Sequence, residues 1–164
     1  MKQNEPTGKH ITDNEDQPSD GFDLHNFFPY LVRIYYRSVS QSVSNIYATK
    51  YGLSVSEWRA MAVLGPYGTL SASEIVKRSS MDKVNVSRAI KGLQKANFLK
   101  RDIDGDDKRR AVLRLTEEGR KAYSVLVPMV KELEENLLVD LDENEVKTLI
   151  SLMEKVRIKA ENLS

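Results

Sequence analysis

Three helix-start signals of the same form follow one another in the middle of the sequence. Each has a hydrophobic residue, then Ser or Asp, then a second hydrophobic residue five positions after the first: Leu53-Ser54 with Trp58, Leu70-Ser71 with Ile75, and Met81-Asp82 with Val86. The Ser or Asp caps the first turn of a helix through its side-chain oxygen, and the hydrophobic pair packs around the cap. Only the letters SSM separate the second helix from the third. The sequence therefore predicts two short helices joined by a tight turn, with another helix before them.

A β-hairpin with a charged tip is predicted directly after the third helix. The segments LKRDID and AVLRL alternate polar and apolar residues on either side of GDDKRR. Such alternation is typical of strands that bury one face. Helix, turn, helix and hairpin together give the pattern of a winged helix-turn-helix, which we assign to residues 53–116.

The N-terminal part of the chain divides into a tail and a long helix. Residues 1–22 are polar and acidic, and we expect a disordered tail there because so few apolar groups cannot offset the entropy of ordering. Residues 23–52 carry hydrophobic residues at intervals of three and four, with Pro29 in the first turn and Gly52 at the exit. This spacing predicts one long helix.

The C-terminal part, residues 117–164, is predicted to hold two amphipathic helices. Thr116 caps the first of them, in which we expect a kink near Pro128, and Asp142 caps the second. The predicted fold class is therefore mainly α with a small β-hairpin, in which a winged helix-turn-helix lies between long helices.

Positive charge is concentrated in the middle of the chain. Residues 71–121 carry fourteen basic and eight acidic side chains, a net charge of +6, although the whole chain carries only +1. Residues 1–24 and 122–164 each carry −4. Because a partner responds to local fields rather than to the total charge, the middle segment is the part that matters for a charged partner.

The composition excludes several classes of function. The chain has no cysteine, which rules out disulfides, thiolate nucleophiles and cysteine zinc sites. His10 and His25 lie in or near the acidic N-terminal region and form no metal-ligand set, so no metal and no cofactor is predicted. The sequence has no phosphate loop or serine-nucleophile motif, and we predict that it is not an enzyme. Without a secretory signal or an apolar run near ~20 residues, a cytoplasmic protein is expected.

Several segments of the chain resemble the MarR family of bacterial repressors. They are GLSVSEWRAMAVL, LSASEIVKRSSMDKVNVSRAIKGLQKANFLKR and DDKRRAVLRLTEEGR. The most specific part is D-x-R followed by L-T-x-x-G, which here begins at Asp107 and ends at Gly119. The resemblance covers Leu53 to Gly119, although the wing turn lacks the proline often found there. It implies a two-fold homodimer, built from both chain ends, that binds double-stranded DNA at a palindromic operator.

The helix that begins after Asp82 is the candidate DNA-reading element. The face opposite its apolar stripe is basic but includes Val84, and an exposed valine among cations suits a helix in the major groove better than a solvated surface. In that groove Val84 would contact a thymine methyl, Asn85 would pair with adenine and Arg88 would bind guanine. Three further residues of this face suit phosphate contacts: Ser87, Lys91 and Lys95. A solvated basic face is the alternative interpretation.

By the same resemblance, the wing supplies minor-groove contacts. Arg109 is expected to enter the minor groove, where negative potential is concentrated, and Asp107 to orient it. Lys108 and Arg110 are further phosphate candidates, and a charged tip that only aids solubility is the alternative. The full predicted DNA-binding set is Ser71, Ser73, Lys83, Val84, Asn85, Ser87, Arg88, Lys91, Lys95, Asp107, Lys108, Arg109 and Arg110.

A cluster of arginine and aromatic residues is the candidate effector site. The resemblance implies an effector crevice between the dimer helices and the winged lobe, and the segment RIYYR with Trp58 is expected there. The candidates are Arg33, Tyr36, Arg37 and Trp58. Arginines beside tyrosines suit a small aromatic carboxylate. The segments SEWRAMAVL and MDKVNVSRA also resemble the subset of the family that controls aromatic-acid breakdown, including hydroxycinnamate repressors. Ordinary packing with surface arginines is the alternative.

These observations support a dimeric, sequence-specific transcriptional regulator, expected to be a repressor released by an aromatic acid or its coenzyme A thioester. The alternative is a winged-helix protein-interaction module that does not bind DNA. The two differ in salt dependence, because phosphate contacts weaken steeply as salt rises.

Overall fold

The computed structural model describes residues 21–103 and 111–163. A short 3-10 helix, Leu24–Asn26, precedes the other elements. The described helices are α1 (Phe28–Tyr51), α2 (Val55–Tyr67), α3 (Ala72–Ser79), α4 (Lys83–Lys95), α5 (Glu117–Leu137) and α6 (Glu143–Glu161), and the described strands are β1 (Thr69–Leu70), β2 (Leu99–Ile103) and β3 (Ala111–Leu115). This mainly helical architecture with a small antiparallel sheet confirms the predicted fold class. The chain divides into two compact units between Val39 and Ser40, inside α1.

Each predicted cap is present at the start of its helix. The side chains of Ser54, Ser71 and Asp82 accept hydrogen bonds from the third backbone N–H of α2, α3 and α4. The first two form the reciprocal capping box with a glutamate, and α4 does not. Thr116 and Asp142 cap α5 and α6 in the same way. The tight turn between α3 and α4 passes through Ser80, whose φ is 53°.

The predicted hairpin is part of a larger sheet. In the described residues β2 and β3 pair antiparallel, with Leu99 opposite Leu115, and β1 pairs with the other edge of β3 through Thr69 and Leu70. The sequence analysis did not predict β1. Asp102 on β2 forms an ion pair with Arg114 on β3. The tip between these strands lies outside the described residues, and with it the predicted wing residues Asp107, Lys108, Arg109 and Arg110.

The hydrophobic core of the second unit holds the helix-turn-helix together. Its largest fully buried side chains are Tyr47, Met61, Leu64, Ile75, Val86, Leu93 and Leu126. The ring of Trp58 stacks on Tyr47 with 5.6 Å between ring centroids. Because helices α2, α3, α4 and α5 all contribute to this cluster, the orientation of α4 is fixed by packing on several sides.

The long helices leave apolar side chains uncovered in the single chain. All residues of α6 are exposed or half-buried, and its exposed apolar residues are Ile150, Leu152, Met153, Val156 and Ile158. In the first unit, Leu31, Val32, Ile34 and Tyr35 are likewise exposed. A helix with a wide apolar surface that remains in water requires a partner or a special role. Within the described residues, none of the helices combines the length and apolarity needed to cross a membrane.

Candidate nucleic-acid interface

Helix α4 has one buried face and one polar face. Val86, Ala89 and Leu93 are at most 1% exposed, and Ile90 packs against the core beside them. The opposite face is fully accessible, and every predicted reading residue on α4 is exposed: Lys83, Val84, Asn85, Ser87, Arg88, Lys91 and Lys95. Val84 is 58% exposed. The stripe predicted from the sequence is therefore confirmed, and the exposed valine lies among cations as expected.

Close packing at a glycine sets how near α4 lies to α2. A Cβ added at Gly92 would lie 1.7 Å from the carboxylate of Glu57, which itself belongs to the capping box of α2. The helix ends where Asn97 adopts a left-handed φ of 58° and Phe98 N–H donates to the Leu93 carbonyl, 2.8 Å away. The C-terminal half of α4 is thus held close to α2, and a backbone hydrogen bond from Phe98 closes its end.

Charge on α4 is of one sign. Its thirteen residues include four cations and no acidic residue. The positive end of the helix dipole adds to this charge at the N-terminus, where Asp82 partly compensates it. A surface of this kind attracts polyanions.

A groove of about 520 Å³ lies between α3, α4 and the strands β2 and β3. Its cations are Lys77, Lys83, Lys91 and Arg101. The sequence analysis predicted the two lysines of α4 but missed Lys77 and Arg101, which lie on other elements. Their positions could have indicated them, because Lys77 is on the helix before the tight turn and Arg101 is on the first strand of the hairpin. The fold brings all four to one groove.

The two predicted serines of α3 differ in availability. Ser71 is only 8% exposed, and its hydroxyl donates to Glu74 Oε2 at 2.6 Å while it caps the helix. Ser73 is exposed and lies on the groove. The hydroxyl of Ser71 is therefore engaged in the cap, and the hydroxyl of the exposed Ser73 is hydrogen-bonded to it at 3.0 Å.

Asn85, the predicted adenine reader, contacts the cap of its own helix. Its Nδ2 donates to Asp82 Oδ2 at 2.7 Å, and its backbone N–H donates to Asp82 Oδ1 at 2.7 Å. Both oxygens of the Asp82 carboxylate are thus bonded to one residue. The hydrogen bond from the Asn85 backbone N–H lowers the pKa of Asp82 below its usual value, so this carboxylate is ionised at neutral pH.

Part of this arrangement is similar to a known protein family. Residues 51–110, which contain α2, β1, α3, α4 and β2, match the sequence model of the MarR family. The match covers 60 of the 164 residues, so the central segment of the chain is similar to the MarR family. The uncharacterized HTH-type transcriptional regulator YwaE of Bacillus subtilis (strain 168) is 30% identical over 113 residues, which are 69% of this chain and 64% of YwaE. The match thus spans less than two thirds of that relative.

Solved MarR structures share the fold of the chain. The MarR/EmrR family transcriptional regulator from Acinetobacter sp. ADP1 has a TM-score of 0.76 and 27% identity, with 86% of this chain and 99% of that chain covered. BpsR of Bordetella bronchiseptica, reported with the mechanism by which 6-hydroxynicotinic acid regulates its DNA binding, has a TM-score of 0.73 and 20% identity, with 83% and 96% covered. The MarR proteins named here are regulators rather than enzymes.

The L-T-x-x-G motif has a structural role in this chain. Thr116 caps α5 and donates its hydroxyl hydrogen to the Asn97 carbonyl at 2.6 Å. Its backbone N–H donates to the Phe98 carbonyl at 3.1 Å. Gly119 lies directly against that carbonyl. The motif therefore joins the start of α5 to the end of α4.

The four predicted effector residues lie in different parts of the chain. Arg33, Tyr36 and Arg37 are exposed on the first-unit portion of α1, and Trp58 is half-buried on α2 in the second unit. Trp58 packs on Tyr47, as the alternative of ordinary packing predicts for that residue. An effector site formed by these four residues stays a prediction. In the described ranges, 21–103 and 111–163, no group of three His, Asp or Glu side chains is placed to hold a metal ion.

Proposed function

We propose that the chain is a dimeric, sequence-specific DNA-binding transcriptional regulator whose α4 reads the major groove. The exposed face of α4 carries this proposal. It combines cations with Val84, which is 58% exposed and lies in the first turn of α4. In a recognition helix the N-terminal outward residues contact base edges, and an apolar side chain there meets thymine methyl groups. A solvated face gains nothing from an exposed valine.

The groove beside α4 supports phosphate binding at the same surface. Lys77 and Arg101 flank the α4 lysines from two other elements. Phosphate contacts by several elements fix the register of a protein on the duplex, while base contacts supply the sequence preference. We therefore add Lys77 and Arg101 to the predicted DNA-binding set, in positioning contacts to the DNA backbone. Arg109 and the other tip residues remain candidates by resemblance.

Homodimerisation through the terminal helices is the second part of the proposal. Its support is the apolar surface of α6, where Met153 is 49% and Val156 is 44% exposed. A two-fold dimer would cover this surface and present two copies of α4 to the half-sites of a palindromic operator. The same α4 face on a monomer would engage only one half-site.

A repressor role and release by an aromatic carboxylate complete the proposal. BpsR, which shares the fold, is regulated in its DNA binding by 6-hydroxynicotinic acid, an aromatic carboxylic acid. Arg33 and Arg37 would pair with such a carboxylate and Tyr36 would contact its ring. An effector changes DNA affinity only by binding the two states of the dimer unequally, so operator DNA must weaken effector binding by the same factor.

DNA selection tests the main proposal. The full chain is incubated with random-sequence duplex DNA, bound molecules are amplified, and affinity for the enriched sequence is measured by mobility shift over a salt series. We expect enrichment of a two-fold symmetric site and a dissociation constant that rises steeply with salt. A shuffled duplex of equal length is the control. Absence of enrichment, together with no mobility shift of any duplex even at low salt, would indicate the protein-interaction module instead.

A titration tests the effector part separately. 6-Hydroxynicotinic acid, hydroxycinnamates and their coenzyme A thioesters are titrated calorimetrically into the protein with and without the selected operator. Binding that operator DNA weakens, and that Arg37→Ala reduces, supports the aromatic effector. Equal binding to free and DNA-bound protein would remove this part and leave the DNA-binding proposal intact.

A further inference from the structure

Asp82 contacts Asn85 beyond what capping requires. A helix N-cap needs one oxygen to accept a backbone N–H, and Asp82 Oδ1 fulfils this role. The second oxygen, Oδ2, accepts the side-chain Nδ2 of Asn85 at 2.7 Å. Both residues are exposed at the N-terminal end of α4, which is the end that base-reading residues occupy in a recognition helix.

We infer that Asp82 is a positioning residue for base readout: it fixes the orientation of the Asn85 amide and thereby increases sequence discrimination at the expense of overall DNA affinity. The inference rests on the proposed function, since it specifies how the same α4 face distinguishes bases. It assigns to Asp82 a role that is separate from starting the helix.

The chemistry of the pair sets the orientation of the amide. A carboxylate only accepts hydrogen bonds, so it holds the NH₂ end of Asn85 and disfavours the flipped amide, which would place oxygen against oxygen. Asn85 Oδ1 and one N–H then remain for a ligand. This acceptor and donor in fixed order match the N6 amino group and N7 of adenine in the major groove. The ordering cost of the side chain is met before DNA arrives.

The charge of Asp82 supports a role in discrimination rather than in affinity. An ionised carboxylate at the exposed start of α4 repels the phosphates that the neighbouring cations attract. Capping alone does not require this charge, because Ser54 and Ser71 cap α2 and α3 with uncharged side chains. The carboxylate therefore weakens binding to every sequence. This loss of affinity is compensated only at sites where Asn85 contacts its preferred base.

Asp82→Asn is the deciding variant. It keeps a capping oxygen and the size of the side chain, but it removes the charge and presents an NH₂ group that favours the flipped Asn85 amide. Asp142→Asn is the matched control, because Asp142 caps α6 with the same residue type away from α4. Both variants are first checked for wild-type helix content by circular dichroism, and Asp82→Ser serves as a second uncharged cap.

The measured quantity is the discrimination ratio, which is the dissociation constant for an operator with one substituted base pair divided by that for the selected operator. Asn85→Ala first locates the base pair whose substitution it tolerates. At that pair we expect Asp82→Asn to lower the ratio about threefold to tenfold, while affinity for shuffled duplex rises about twofold to fivefold. Asp82→Ser should change both quantities in the same directions. Asp142→Asn should change neither.

Combining the variants separates positioning from a general effect. In the Asp82→Asn/Asn85→Ala double variant, the ratio should equal that of Asn85→Ala alone, because Asp82 acts through Asn85. An unchanged discrimination ratio in Asp82→Asn, or an equal loss of discrimination at all base pairs, would overturn the inference. The proposed function would still stand if the wild type selects an operator. If the wild type selects no sequence, the inference and the proposed function both fail.

Discussion

Gly119 lies so close to the backbone of Phe98 that a Cβ on Gly119 would be 2.0 Å from the Phe98 carbonyl oxygen. That oxygen also accepts a hydrogen bond from the backbone of Thr116. Phe98 follows the end of α4, and Gly119 is in the first turn of α5. The start of α5 and the residues that follow the end of α4 are therefore in direct backbone contact.

Gly119→Ala is expected to destabilise the protein. The methyl group would meet backbone atoms, which cannot rotate away as a side chain can, and this strain should exceed the ~1 kcal/mol that alanine gains over glycine within a helix. We expect the free energy of unfolding in urea to fall by at least about 1 kcal/mol. Ser124→Ala, at an exposed position of α5, should change it by no more than about 0.5 kcal/mol. Equal stability of the two variants would contradict the close contact.

Thr116→Val should remove two hydrogen bonds and keep the shape of the side chain. The hydroxyl accepts from Gly119 N–H at 3.0 Å and donates to the Asn97 carbonyl at 2.6 Å. Losing the cap and the second bond should lower the free energy of unfolding by about 1–3 kcal/mol. Thr116→Ser keeps the hydroxyl and should retain most of the stability. An unchanged free energy of unfolding in Thr116→Val, or a larger loss in Thr116→Ser than in Thr116→Val, would contradict this role of the hydroxyl.

Arg88→Ala is expected to weaken operator binding by about 1–3 kcal/mol and to relax the preference at one base pair, as loss of a base-reading arginine does. The side chain is exposed, so the melting temperature should stay near that of the wild type. Repeating the DNA selection with the variant measures the preference directly. A selected sequence identical to that of the wild type would remove Arg88 from the base-reading residues.

Lys95→Ala should reduce affinity for all DNA sequences equally. Lys95 is exposed in the last turn of α4, where a phosphate contact carries no sequence information. The slope of log K against log salt should become shallower by about one unit. Lys155→Ala on α6 removes the same charge outside the proposed surface and should leave the slope unchanged. A change of preference at a single base pair would assign Lys95 to base reading.

Replacing both Met153 and Val156 by Glu should produce monomers or insoluble protein and abolish operator binding. These apolar side chains are exposed on one side of α6, and two charges there would oppose burial against a second copy. Sedimentation at micromolar concentration measures the outcome. Lys155→Glu lies ~160° from Met153 and ~100° from Val156 around the helix, and should remain dimeric. A wild-type monomer at this concentration would refute the dimer.

The helix starts could be predicted from the sequence because their signals are local. Ser54, Ser71, Asp82, Thr116 and Asp142 each act on the turn that directly follows them. The strand β1 could not be predicted in this way. Its two residues, Thr69 and Leu70, are too few to show alternation, and they form a strand only because β3 supplies the partner.

Helical periodicity predicts which residues of the candidate site lie on the outward face of α4. The spacing of buried residues in α4 places Arg88 and Lys91 outward, and the structure agrees. Lys77 and Arg101 were missed because their proximity to α4 depends on how three elements pack, which has no local signal. The contact between Asp82 and Asn85 is local, yet the sequence alone does not distinguish it from ordinary capping, since both require the same Asp.

If α4 reads DNA as proposed, the separation of its two faces has a consequence for how the protein can change over evolutionary time. Val86, Ala89 and Leu93 anchor the helix in the core, whereas the outward residues contribute little to that packing. Substitutions on the outward face can therefore accumulate at small cost in folding. A duplicated gene could acquire a new target sequence through a few such changes while its product kept the same scaffold. Transplanting the outward residues of a relative into this helix would then transfer that relative's target preference.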